Sequence, residues 1–166
     1  MINLKKRGFT LIELLISITV IVLFMGISLS VYQQTVFEKR LTEDASLMVS
    51  KIEQVKRRTL SRDISPNFNC LNFDSYAVVF NPAANTFQDQ FHCDGNPPVI
   101  IGTYLLNGSE YENITVTETI NFIPPIAELA GPMQLITLRN SQITKCVDII
   151  VNQLGPVNLS DHYDCP

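Results

Sequence analysis

The sequence predicts an α+β protein: one long N-terminal helix, its first half apolar enough to cross a membrane, with its second half packed on an antiparallel β body. Three observations predict it. Residues 9–29 are almost uniformly apolar, with Glu13 the single charge. Apolar residues then recur at helical spacing to about residue 60, and beyond Pro66 the chain becomes rich in Asn, Pro and β-favouring residues broken by turn signals. A chain of 166 residues has room for one globular body of ordinary size besides that helix.

The 21 residues of 9–29, at about 1.5 Å each, match a hydrocarbon core of roughly 30 Å. Lys5, Lys6 and Arg7 precede them and are expected to hold the N-terminus in the cytoplasm, so that the rest faces outward. No Pro or Gly occurs from 27 to 65, and the helix is therefore expected to run on through 30–62, reaching roughly 80 Å if it starts at Phe9. Phe37, Leu41, Met48, Ile52 and Val55 form its core-facing stripe. Lys39, Arg40, Lys51, Lys56, Arg57, Arg58 and Arg62 are placed on its exposed side, interleaved with Glu38, Glu43, Asp44 and Glu53. That mixture suits a solvated or subunit-packed face better than a phosphate-binding stripe.

The body, 63–166, is expected to carry strands at 76–80, 86–92, 99–106, 113–123, 133–139 and 143–151, between turn signals such as Asn81-Pro82, Asp94-Gly95, Asn107-Gly108 and Gly131-Pro132. Its charge excludes a partner class. The whole chain is −4, but beyond Arg62 only Arg139 and Lys145 stand against eleven acids, a formal −9 that repels phosphate backbones. No nucleic acid is expected as a partner.

Cys70, Cys93, Cys146 and Cys165 all follow the apolar segment, and none forms a Cys-x-x-Cys pair. Disulfides are the simplest reading, and they require an oxidising compartment outside the cytoplasm. Of the three possible pairings, Cys70 with Cys93 and Cys146 with Cys165 is favoured because each closes a short loop, although proximity does not prove connectivity.

Other reactive residues reduce to plainer roles. His92 beside Cys93 reads as a neighbour of a disulfide rather than a zinc ligand. Asp161 and Asp164, near Asn158, lack the spaced oxygen pattern of a calcium loop. The acceptor patterns at Asn107, Asn113 and Asn158 arise readily in asparagine-rich turns. Nucleophile elbow, phosphate loop, metal-binding helix and dinucleotide fingerprint are all missing from the sequence, so no catalytic residue, metal or cofactor is assigned and an enzyme is not expected.

Glu13 separates the readings of the N-terminus. A secretory signal peptide cleaved near Gly26-Ile27-Ser28, a plain anchor, or the buried helix of a soluble domain all accommodate an apolar run, but none has a use for a carboxylate. In a membrane helix that group costs roughly 2.5 kcal/mol or more, so it needs a partner or a function. Removal of residues 1–8 after Gly8 would create a cationic amine at Phe9, about one helical turn from Glu13, and the same amine on a neighbouring subunit could meet the carboxylate.

Lys6-Arg7-Gly8-Phe9-Thr10-Leu11-Ile12-Glu13 resembles the prepilin cleavage and methylation motif of type IV pilins and pseudopilins. The resemblance implies a pilin-like fold, a leader over 1–8, cleavage between Gly8 and Phe9 by a membrane prepilin peptidase, N-methylation of Phe9, and an assembly role for Glu13. It further implies a single-pass protein of the bacterial inner membrane whose partners are the lipid bilayer, other pilin or pseudopilin subunits and the assembly platform, with the helices forming the core of a periplasmic or extracellular filament. Many major pilins carry a proline late in the membrane helix, where this chain has Gly26, Ser28 and Ser30, which leans toward a pseudopilin or minor pilin over a major pilin.

In the body, Ile120-Asn121-Phe122, Gly131, Gln134-Leu135-Ile136-Thr137-Leu138, Val147-Asp148-Ile149-Ile150-Val151 and Leu154-Gly155 are similar to the strand order of the GspH/FimT family of minor pseudopilins and minor pilins. The chain departs at Pro156-Val157, lacking the arginine usual soon after that glycine, so a ligand contact by that arginine does not carry over. The sequence therefore reads as a structural subunit of a type II secretion pseudopilus or type IV pilus. A tip-displayed module for DNA uptake or adhesion is the alternative, and it would need Arg139, Lys145 and the end of the helix to form one cationic cluster.

Overall fold

The computed structural model describes residues 9–62, 70, 72–93, 96–131 and 133–166. The chain divides into two compact units, Met1–Val36 and Phe37–Pro166. One helix, α1 (Leu11–Ser61), supplies residues to both.

In the first unit the helix begins at Leu11, two residues later than the apolar run itself. Its side chains from Leu11 to Met25 are exposed, including Leu11, Ile12, Leu23 and Phe24. In water each such side chain forgoes roughly 1.5–3 kcal/mol of burial, so this surface needs lipid or other helices around it. The helix is long and apolar enough to cross a membrane. Three of its hydroxyls have partners on the backbone: Ser17 donates to Glu13 O at 2.8 Å, Thr19 to Ile16 O at 2.8 Å and Thr35 to Val31 O at 3.0 Å. Such back-bonding lets polar residues sit in an apolar medium without an external acceptor.

In the second unit, Leu41, Ala45, Met48, Ile52 and Val55 on α1 are fully buried and join one core with residues from both sheets of the body. The strands are β1 (Phe73–Asn81), β2 (Thr86–Cys93), β3 (Val99–Leu105), β4 (Glu110–Tyr111), β5 (Glu118–Ile123), β6 (Glu128–Leu129), β7 (Gln134–Asn140), β8 (Lys145–Val151), β9 (Val157–Leu159) and β10 (Tyr163–Asp164). They form two antiparallel sheets, ordered β3-β2-β1-β5-β6 and β10-β8-β7-β4, with β9 also paired to β8.

Alternation explains the first sheet's core face. Val78 lies opposite Asp89 and Ile120, and Phe80 opposite Phe87, so Tyr76, Val78, Phe80, Phe87, Phe91, Ile120 and Phe122 all point inward. In the second sheet Ile136 faces Ile149 and Leu138 faces Val147, which buries these four on the same basis. The β1–β2 turn is set locally: Asn81 Oδ1 accepts the Ala84 N–H at 3.2 Å around Pro82–Ala84, and Asn85 closes it in the left-handed region at φ 52°.

Three expectations are corrected, one of them Asp44, which is buried at 4% exposure and not on the exposed side of α1. Residues 113–117 lie outside any strand because the Asn113 side chain takes the ladder positions itself, donating to Leu135 O at 2.6 Å and accepting the Thr137 N–H at 2.8 Å. Lys56 is buried, not on the exposed side of α1: it sits 60° from the centre of the core stripe, its ammonium donates to Gly155 O, and the Phe122 ring centroid is 6.0 Å away. Its alkyl stem packs with the core while the charge reaches a carbonyl.

Candidate functional site

The start of α1 is organised by Thr10. Its carbonyl accepts the Leu14 N–H at 3.2 Å, the first bond of the helix, and its hydroxyl accepts the Glu13 N–H at 3.3 Å. These are the two bonds of an N-cap residue. Phe9 lies ahead of the helix and is 78% exposed, whereas Glu13 stands in the first helical turn, where the helix dipole favours a carboxylate. Gly8 and the rest of the leader lie outside the described residues. The signal for this cap is local: Thr10-Leu11-Ile12-Glu13 before an apolar run is the capping-box pattern, although the length of that run masks it.

In the second unit, α1 is fastened to the body by polar contacts, the most buried of them at Asp44. Asp44 is 4% exposed, and its carboxylate receives the N–H groups of Asn107, Gly108 and Ser109 at 3.0–3.1 Å and the Ser109 hydroxyl at 2.6 Å. Three consecutive backbone donors and a hydroxyl make a strong anion cradle, filled by the chain's own carboxylate. Glu53 Oε1 accepts the Val157 N–H at 2.6 Å, and Thr42 Oγ1 lies 3.1 Å from His162 Nε2. The Tyr111 hydroxyl, bonded to Thr86 O at 3.0 Å, is pushed above the ordinary tyrosine range first by burial and then by the Asp44 charge.

The cations of the body are engaged. Arg139 pairs with Glu112 at 3.2 Å and Lys145 with Asp164 at 2.7 Å, so each faces an acid of its own chain. At the end of the helix Arg58 approaches the buried Asp89 at 3.6 Å, and the Lys51 ammonium lies 4.5 Å from the Tyr104 ring centroid. Among the described residues, no group of three His, Cys, Asp or Glu side chains is placed to hold a metal ion.

Disulfides join Cys70 to Cys93 and Cys146 to Cys165. The second ties the C-terminus to β8, and with β9 and β10 it lays the tail along that strand. Tyr163 and Thr137 both donate to Asp148 Oδ1, at 2.8 and 2.7 Å, which fixes the tail against the outer face of the second sheet.

Residues 3–29 match the family model of the prokaryotic N-terminal methylation motif. Neither the curated proteins nor the solved structures give a match to the chain. The motif, the long N-terminal helix and the sheet body together support a type IV pilin-like subunit.

Proposed function

We propose that the chain is a structural subunit, a minor pseudopilin or minor pilin of a type II secretion pseudopilus or type IV pilus, and not an enzyme. One observation carries the proposal: the N-terminal methylation motif, residues 3–29, takes in the start of a helix whose side chains from Leu11 to Met25 are exposed and whose single acid in that stretch, Glu13, stands in the first turn. A signal peptide or plain anchor accounts for the apolar surface but gives no role to Glu13.

On this reading a prepilin peptidase cuts between Gly8 and Phe9 and the Phe9 nitrogen is methylated. Residues 9–29 hold the subunit in the inner membrane with the body outside the cytoplasm, where disulfides persist. During assembly the helix leaves the bilayer and buries its apolar surface against neighbouring helices, while Glu13 pairs with a neighbour's Phe9 amine and sets register. The GspH/FimT-like strand order and the lack of a late helix proline favour a minor subunit.

N-terminal peptide mass spectrometry of the protein from its native membrane, with and without the peptidase, tests the reading. A peptidase-dependent start at N-methylated Phe9 is expected. A chain that keeps Met1, or that begins near Ser28, overturns it.

A further inference from the structure

We propose that Thr10 is a positioning residue for leader removal: as N-cap it stops α1 at Leu11 and so keeps the bond on the Phe9 nitrogen outside the helix, in reach of a peptidase. This rests on the prepilin reading above and adds to it a residue with a defined physical task.

A helix resists proteolysis because its backbone groups are bonded to each other and shielded by the turn above; chains are cut where the backbone is open or opens transiently. In this chain the apolar run starts at Phe9, and nothing in residues 11–25 would end a helix, so a local device has to fix where it starts. Thr10 supplies it. Its hydroxyl takes the Glu13 N–H at 3.3 Å, and its carbonyl takes the Leu14 N–H at 3.2 Å. Phe9 and Thr10 are thereby left non-helical, with Phe9 exposed. The same bond places Glu13 as third residue of the helix, so one hydroxyl fixes both the open stretch before the helix and the distance from the new amine to the carboxylate.

The hydroxyl, not the side-chain shape, carries the effect. Thr10→Val keeps the branched outline and removes the acceptor, whereas Thr10→Ser keeps the acceptor and removes the methyl. Purified peptidase acting on the full-length chain in detergent micelles gives the rates, and amide hydrogen exchange at Glu13 reports the cap without reference to cleavage. Thr10→Val is expected to be cut about five-fold more slowly, the size of shift that one cap produces in a local helix equilibrium, because the helix start can then move toward Phe9. It should exchange no faster than native at Glu13, whose N–H meets the Phe9 carbonyl in the longer helix. Thr10→Ser should stay close to the native chain in both. Faster exchange at Glu13 in Thr10→Val would show fraying instead and overturn the role. Equal cleavage of Thr10→Val and the native chain overturns the positioning role while leaving the prepilin reading intact. Slow cleavage of Thr10→Ser with native exchange at Glu13 also overturns it, because shape would then be what the peptidase reads. A native chain that the peptidase never cuts removes the prepilin reading and this inference with it.

Discussion

The Gly108 N–H donates to the Asp44 carboxylate at 3.0 Å, the central bond of a cradle that joins α1 to the β3–β4 loop across 64 positions of sequence. Asp44→Ala would take the acceptor from the Asn107, Gly108 and Ser109 donors, the last of them buried, and a loss of about 3 kcal/mol is expected. Asp44→Asn retains one acceptor oxygen but turns an amide toward the same donors, so about 2 kcal/mol is expected. Chemical denaturation of the full-length chain in micelles, followed by near-ultraviolet circular dichroism, measures both. A loss below 1 kcal/mol for Asp44→Ala would show the cradle to be satisfied by other means.

Gly108 is also a packing requirement. A Cβ added there would stand 2.7 Å from the Cβ of Arg40 on α1, an atom that no side-chain rotation moves. Gly108→Ala is therefore expected to cost about 1–3 kcal/mol. Adding Arg40→Ala should give little relief because that Cβ remains, whereas Arg40→Gly should recover more than it loses as a helix former. Thermal unfolding of the two double variants against Gly108→Ala alone decides the point.

The Cys146–Cys165 bridge closes a 19-residue separation and holds the tail whose His162 meets Thr42 on the helix. Replacing both cysteines by serine is expected to cost roughly 3 kcal/mol through the freedom returned to the unfolded chain. The native-state effect should be local: faster amide exchange over residues 157–165, with β1 and β2 still protected. Uniform acceleration across the body would show that the tail is part of one cooperative unit.

Tyr111 gives the body an alkaline limit. Burial and the Asp44 charge raise its pKa above the ordinary tyrosine value of 10.0. Between the unfolded and folded values the folded state binds more protons than the unfolded, so stability is fully present below about pH 10 and falls as pH climbs through that window. Tyr111→Phe is expected to flatten the decline above pH 10, read from denaturation midpoints at pH 9 and pH 11. An unchanged slope would place the alkaline sensitivity elsewhere.

What the sequence displayed depended on the range of the interaction concerned. Periodicity revealed α1 nearly to its end at Ser61, because Leu41, Met48, Ile52 and Val55 repeat on one face, and composition revealed the strands around Val78, Phe87, Ile136 and Ile149. The short strands β4, β6, β9 and β10 carry too few residues to alternate, and their pairing is set by partners far along the chain. Asp44 and Lys56 looked like solvated charges because their acceptors and donors, Gly155 O and the Asn107-Gly108-Ser109 amides, are brought to them only by the fold. Thr10 was legible, since its cap is made within four residues, yet an apolar run draws attention to its length before its first turn.

Glu13 provides the test that separates processing from assembly. Glu13→Gln preserves size and polarity and leaves Thr10 and its bond to the residue-13 N–H in place, so peptidase cleavage is expected to stay within about two-fold of native. What it removes is the charge that would attract a neighbour's Phe9 amine, an attraction worth about 4 kcal/mol at 4 Å in surroundings of intermediate polarity. A cost of even a third of that is a ten-fold shift against incorporation. The processed variant should therefore accumulate in the membrane, with at least a ten-fold lower share in sheared filaments than the native subunit expressed beside it. Equal incorporation would leave Glu13 with only its place in the first turn of the helix, and subunit register would have to come from contacts between the bodies.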